Sequence, residues 1–525
     1  MPAEQPNGSS RLRADRSAVA DSVSDRNERR IKRRSRRSGS GRLAVVIEDI
    51  PGWCLAILLV AAPWAYGTTF PETKVWLAKA LCVLGGLFIA SLALRGRPLR
   101  VSWISLGLSL LILVYGWFMT WNANLIYDPR VFYFHPGSPH LPLWPGSVDQ
   151  ITSANQMLLI TGLFSAFWVA SDLSTRSRWR RRFWLVLSLA GLSIVLLGLA
   201  QRLSSAPGIF WRTDLDCGIT FFATYRYHAN AGSFINLILP FVAAQCVCAF
   251  RRASSDFGKV FWVLALLAVL VGACINLSRA ATLISAGVVM VFLIWQCSEI
   301  VRSRKHGFSL VQAIILLTIV AGGSWWLVQT VGFGEAYKHW EQLGGALADN
   351  FRFIVYDTIE HQILPVSGWW GFGPNSFSLV FPFFTNDLGR RIWGFWAQAH
   401  QDYLQTLMEW GYCGAALWLL LFGNSVARGA SALWRRRRTW DGRTRAFAVA
   451  CLLALTSVLI HATVDFPMQI ASLQLYVSVI LGTVAALQYV DGSGQRRFKA
   501  TPGTSGEESG AESNLLLQER GIKRP

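Results

Sequence analysis

Charge is what this 525-residue chain has least of: charged residues make up 15% of it and hydrophobic ones 52%. Mean hydropathy is +0.35. A soluble protein needs roughly a quarter of its residues charged to cover its surface, so an array of soluble domains is excluded. Cysteine supplies no framework either. Of nine Cys, eight lie in or beside apolar runs and only Cys217 falls well inside a segment predicted to face outward, which implies no disulfide scaffold. Cys246 and Cys248 are two apart on a predicted helix and point to different faces, poor geometry for a metal. Also missing are a Ser–His–Asp arrangement, a Walker loop, a His-Glu-x-x-His pair and a carboxylate-rich metal site, so the expectation is no metal and no other cofactor.

What the chain does have is apolar runs of about 17–25 residues, the length that spans a hydrocarbon layer of roughly 30 Å. Many of its 24 Trp, among them Trp53, Trp64, Trp103, Trp121, Trp184 and Trp211, fall near the ends of those runs, where indole prefers the interface. The fold class is therefore all-α, a polytopic membrane protein. Spans are predicted near 53–70, 75–94, 101–121, 152–171, 183–202, 230–249, 259–276, 279–298, 308–331, 405–427, 446–463 and 471–489. The stretch from Lys259 to Cys297 is too long for one span and is divided at Asn276-Leu277-Ser278-Arg279. Residues 1–42 form a basic, Ser- and Arg-rich arm and residues 491–525 a Gly-, Ser- and Glu-rich tail, both predicted disordered around a membrane domain of 43–490. The first apolar run comes too late, with too many others after it, for a cleaved signal peptide.

A formal net charge of +20 would suggest nucleic acid in a soluble protein. Here Lys and Arg gather in the N-terminal arm and in alternate short loops: Arg95, Arg97 and Arg100; Arg176 to Arg182; Arg251, Arg252 and Lys259; Arg302, Arg304 and Lys305; Arg435 to Arg445. This is the positive-inside pattern. It places both termini in the cytoplasm, requires an even number of spans, supports twelve, and leaves nucleic acid out as a partner. Three outward segments are long: Asn122 to Gln150, Leu203 to His228, and Gly332 to about Ala399, between spans nine and ten. A structureless connection of the last length is unusual, so it is predicted to fold against the membrane surface, with amphipathic helices over Glu335–Ala348 and Asn350–Gln362.

Cations on the outward side are exceptions to the pattern and mark candidate sites. Arg279 heads an apolar span in a tight outward turn; it either offers a fixed charge to an anion such as a lipid phosphate or snorkels to headgroups. Arg352 has Tyr356 one helical turn later on the same face, and its plain alternative is a surface pairing with Asp349 or Asp357. Gly368-Trp-Trp-Gly-Phe-Gly-Pro-Asn-Ser-Phe377 reads as a tight aromatic turn that docks on the interface or stacks on a sugar. His400 stands at the mouth of the tenth span as a general base, a hydrogen-bond donor or a simple cap. Asp402 and Glu409 are placed to orient neighbours, Glu409 deep enough to need a protein partner. His461 with Asp465 forms a second pair.

Together these segments resemble the O-antigen ligase and polymerase family of membrane glycosyltransferases. The resemblance rests on Ser278-Arg279-Ala-Ala-Thr-Leu, then Arg352 with Pro365…Gly371-Phe-Gly373-Pro-Asn375-Ser-Phe377, then His400-Gln-Asp402-Tyr-Leu-Gln405…Glu409-Trp-Gly411, with Val464-Asp465-Phe466-Pro467 as a further element. The signature region is about 260–427, with a periplasmic loop at about 332–404. The resemblance implies an inverting, metal-independent enzyme of a bacterial inner membrane, acting in cell-surface polysaccharide biosynthesis. The donor would be a glycan on a polyprenyl diphosphate, and the acceptor lipid A core or a growing polysaccharide. By the same resemblance, Arg279 and Arg352 bind the diphosphate, His400 is the acceptor's base or helps hold the diphosphate, and Tyr356, Gly371, Gly373, Asn375 and Asp402 belong to the substrate site. Ligase and polymerase are not separated. The alternative is a flippase or another polysaccharide transporter, which should show internal repeats, broken helices and mid-membrane charges; no clear repeat is visible.

Overall fold

The computed structural model describes residues 47–128, 130–131, 133–137, 141–214, 220–251, 255–303, 322, 351–385 and 396–490. Among them are eleven helices long and apolar enough to cross a membrane. In chain order these are α1 (Ile47–Trp64), α2 (Pro71–Arg95), α3 (Trp103–Trp121), α4 (Gln150–Ser174), α5 (Ser177–Leu203), α6 (His228–Arg251), α7 (Asp256–Ile275) and α8 (Arg279–Ser303). After a short helix α9 (Phe351–Thr358) come α10 (Asp402–Arg436), α11 (Gly442–His461) and α12 (Ala471–Ala486). The span predicted at 308–331, the helix predicted at Glu335–Ala348, and Cys217 lie outside the described residues.

From α1 to α8 each helix reverses the direction of the last, as do α10, α11 and α12, and the charge pattern follows. At one end of the bundle, which we call the basic end, Glu48 pairs with Arg95, Arg97 and Arg176. Asp172 takes both Arg97 nitrogens at 3.0 and 2.7 Å. Asp49 accepts from Trp179 at 2.9 Å and pairs with Arg178 and Arg182, and Glu299 takes Arg445 at 2.7 Å. These few acids gather the arginines of separate loops onto one face. They also correct the first helix, which was expected at 53–70 and runs Ile47–Trp64. Its opening acids are tolerated because arginines neutralise them. Its C-terminal end is closed by Tyr66-Gly67-Thr68, all at positive φ, where a right-handed helix cannot continue.

Helices α4, α6 and α12 are buried along most of their length, whereas α2, α3, α7, α8 and α10 bury one face only. Three helices thus form the core and the others present an apolar surface, as lipid requires. Between α7 and α8 the chain reverses through Leu277 at φ 66°. Asn276 Oδ1 accepts from Ser278 N at 2.8 Å, and Thr282 Oγ1 donates to Ala273 O at 3.0 Å.

The far end of the bundle, away from the basic loops, holds the irregular structure. A two-stranded antiparallel hairpin pairs β1 (Leu125–Asp128) with β2 (Tyr133–Pro136), Tyr127 opposite Phe134. The composition of that Pro- and Gly-rich segment had not suggested strands. α9 continues through a wider helical turn at Ile359–Ile363 and a last turn at Leu364–Ser367. Val355, Ile359, Ile363, Phe377, Phe381 and Met408 make a small apolar core of their own, separate from the main one. Residues 351–385 thereby form a folded body resting on the first turns of α10.

Candidate functional site

The Gly-rich turn explains how this body is fixed. Glu409, buried in α10, accepts from Asn375 N at 3.0 Å, Phe377 N at 3.3 Å and Gln405 Nε2 at 2.9 Å. Phe372 N and Gly373 N donate to Met408 O and Glu409 O at 3.0 and 2.8 Å. Those carbonyls are available because α10 breaks at Gly411, at φ 61° and ψ −177°, a conformation open essentially to glycine alone. A Cβ on Gly371 would lie 2.4 Å from Gly411 N. Gly371, Gly373 and Asn375, expected in the substrate site, are thus used in docking the turn onto the helix. None of the three lines the cavity described next.

At the far end a cavity of about 620 Å³ opens between the entry to α2, the start of α6, the approach to α10 and the turn before α12. Its wall includes Lys74, Arg226, Tyr227, Asn230, His400 and Phe466. Tyr227, just before α6, is the junction. Its hydroxyl accepts from Arg352 Nη2 at 2.7 Å and donates to Asp465 Oδ2 at 3.2 Å. Arg352 Nη1 donates to Val464 O at 2.9 Å, and its Nη2 lies 3.8 Å from Asp465 Oδ2. On the other carboxylate oxygen, His400 Nδ1 stands 3.4 Å from Asp465 Oδ1, longer than a settled hydrogen bond.

Burial alone would raise the Asp465 carboxyl, but His400 and Arg352 more than offset it and hold it below the usual carboxylate range. Burial pushes the Tyr227 phenol well above its usual value, with the Asp465 charge adding to the effect, so it remains a donor to that carboxylate. Burial works against the Arg352 charge, yet Tyr227 and Asp465 carry its pKa above the usual guanidinium value. The result is a carboxylate with a permanent cation on one side and an imidazole on the other.

His400 itself is tightly held. Its backbone takes φ 57°, uncommon for a residue with a side chain, and Tyr356 fixes that strained carbonyl with a 2.6 Å hydrogen bond. Burial pushes the Tyr356 phenol up to about 12, so it is a neutral donor. The imidazole stands edge-on to Phe466 at 4.6 Å, Trp396 at 5.6 Å and Tyr227 at 6.0 Å. Tyr356, expected to touch substrate, acts on the backbone of the residue that lines the cavity.

The remaining expected residues are placed as follows. Asp402 is 3% exposed; its oxygens accept from Met468 N at 2.8 Å and Gln469 Nε2 at 3.1 Å, so it steadies the turn that presents Asp465. His461, paired in sequence with Asp465, accepts on its carbonyl from Asp465 N at 3.0 Å, and its Nδ1 lies 2.6 Å from Ser233 Oγ. Arg279 opens α8 at the same end of the bundle. Its helix is tied to α6, where Asn236 Nδ2 donates to Ala281 O at 3.2 Å, but Arg279 is not among the residues lining the cavity. Tyr227, Lys74, Arg226 and Asn230 were not foreseen; the one available signal was polar residues flanking apolar runs on the side where cations are scarce. Among the described residues no three His, Cys, Asp or Glu are grouped to hold a metal ion. No protein-family model matches this chain, and no curated protein matches it.

Proposed function

We propose that this chain is an O-antigen ligase-like glycosyltransferase of twelve spans in a bacterial inner membrane. Both termini are cytoplasmic, the basic end faces the cytoplasm and the cavity faces the periplasm. It moves a glycan from a polyprenyl-diphosphate carrier to a lipid A core or growing polysaccharide acceptor. The observation that carries this reading is the Arg352–Tyr227–Asp465–His400 cluster, of which Tyr227 and His400 line the far-end cavity while Arg352 and Asp465 are joined to them through the Tyr227 hydroxyl and the His400 imidazole.

In this reading an acceptor hydroxyl attacks the anomeric carbon from the face opposite the diphosphate. The carbon–oxygen bond to the carrier breaks as the new glycosidic bond forms, with inversion, and the electron pair leaves on the diphosphate. Arg352, with Arg279 from the head of α8, stabilises that developing charge; guanidinium groups suit phosphate oxygens through a planar fork. His400 takes the hydroxyl proton on Nε2, while Asp465, facing Nδ1, sets the tautomer and steadies the imidazolium. Tyr227 bridges Arg352 and Asp465, whose nearest nitrogen and oxygen stand 3.8 Å apart, and the guanidinium would exchange its bonds to Tyr227 and Val464 for the diphosphate oxygens.

The test is reconstitution in proteoliposomes with a polyprenyl-diphosphate oligosaccharide and an acceptor glycolipid, reading the release of free polyprenyl diphosphate. Wild-type protein should release it, and Arg352→Ala and His400→Ala should each slow release at least about 100-fold, the scale of a lost general base or oxyanion-type donor. Movement of the intact lipid-linked saccharide across the bilayer without release would replace this reading with a transporter.

A further inference from the structure

The Arg352 cluster leaves part of the cavity wall unexplained. Lys74, in the first turn of α2, and Arg226, just ahead of Tyr227, line the same space and are built on one residue. Lys74 N donates to Phe70 O at 3.0 Å, and the Arg226 guanidinium lies 5.3 Å from the centre of the Phe70 ring. Among the described residues no carboxylate pairs with Lys74, and none of the Asp or Glu among them lines the cavity. A cation at the mouth of an apolar helix is costly unless an anion or water answers it. A third feature points to a ligand rather than to water alone. Asn230 lines the cavity at 3% exposure, and its buried Oδ1 has no hydrogen-bond partner among the described residues. Buried amide oxygens are rarely left so. Phe466 and Trp396 add aromatic surface to the same wall, a kind of surface against which a sugar ring packs. The volume of about 620 Å³ falls within the usual range of small-molecule sites.

We propose that Lys74, Arg226 and Asn230 form a second anion subsite that takes the phosphate or carboxylate of a charged saccharide, with Asn230 receiving a sugar hydroxyl. Resting on the transferase reading, that saccharide is the acceptor, and the subsite selects charged acceptors over neutral ones. It is carried by α2 and the segment before α6, whereas Arg352 comes from α9 and His400 from the approach to α10.

The experiment uses the full chain in nanodiscs of neutral phosphatidylcholine and follows its thermal unfolding midpoint against glucose 6-phosphate, glucuronate, glucose and inorganic phosphate. Glucose 6-phosphate and glucuronate should raise the midpoint at concentrations where glucose does nothing, and inorganic phosphate should act more weakly than the sugar phosphate. Lys74→Gln and Arg226→Gln should each weaken the apparent affinity about tenfold, the scale of one charge-assisted hydrogen bond, whereas Lys74→Arg should keep it. Equal response to glucose, or unchanged affinity in both Gln variants, overturns the proposal. So does loss of the sugar effect in discs of anionic phosphatidylglycerol, because the subsite would then be a lipid headgroup site. No donor is present and no transfer occurs, so failure here leaves the release assay standing, and failure of that assay leaves this binding result standing.

Discussion

Replacing Asp465 by Asn keeps the size of the side chain and an acceptor for Tyr227, and removes only the charge shared by Arg352 and His400. The structure sets the scale. Asp465 lies 3.8 Å from the Arg352 guanidinium, and two unit charges at that separation interact by about 4 kcal/mol at an effective dielectric constant of roughly 20. Breaking one side of a buried pair costs about 3–5 kcal/mol, because the remaining charge is left uncompensated. Arg352 is 28% exposed, so solvent answers part of its charge and the lower end applies. Asp465→Asn should therefore cost about 3 kcal/mol, and Arg352→Gln a similar amount. The double variant removes both charges and should cost less than the sum by about 1.5 kcal/mol or more. Denaturant unfolding in mild detergent, followed by tryptophan fluorescence, measures all three. Additivity within about 0.5 kcal/mol, the behaviour of sites that do not touch, would refute the coupling.

Two further expectations follow from the same geometry. The folded pKa of Asp465 is depressed, so its stabilisation is whole above the unfolded carboxylate value of about 3.9 and is lost as pH falls through the folded value. Wild-type protein should lose stability below about pH 4 more steeply than Asp465→Asn, and parallel curves would show that the carboxylate is not held down by its neighbours. Gly373→Ala would place a methyl 2.2 Å from Ser147 Oγ and 2.7 Å from Ser147 Cα on a backbone at φ 97°. Strain and overlap together should cost about 2–5 kcal/mol, and Ser147→Ala should not rescue it because the backbone contact remains; an unchanged melting midpoint would show that the turn is not docked as described.

The membrane helices were legible because each is an apolar run long enough to cross lipid, and because arginines gather in alternate connections. The start of α1 was not, because Glu48 and Asp49 read as solvent-facing until Arg95, Arg97, Arg176 and Arg178 are brought to them from distant loops. Strands β1 and β2 have four residues each, too few for alternation to stand out. At the site, Arg352 and His400 were visible as polar groups on the side where cations are scarce. Tyr227 was not, since nothing around it in sequence marks a phenol that joins residues 125 and 238 positions away. Asp402 and Glu409 were recognisable as acids needing partners; that those partners would be backbone N–H groups of two different turns depends on where the loop lands. Gly371 and Gly373 showed their conformational freedom in sequence, while the surface that demands it belongs to Gly411 and Ser147.

The interruption at Gly411 has a mechanical meaning. A continuous helix would transmit any tilt of its tip into the membrane as a rigid rod. Here Leu404, Leu407 and Met408 share an apolar core with residues 351–385, while Trp410 and Leu421 further along belong to the bundle core. The two halves meet at a joint whose lost helical bonds are replaced by contacts to Trp369, Phe372 and Gly373. Tyr115 of α3 reaches across to the carbonyls of Trp370 and Trp410 and clamps the joint to the bundle. One helix thus serves as the spindle of two bodies, and the angle between loop and membrane domain is set at a single glycine and one tyrosine.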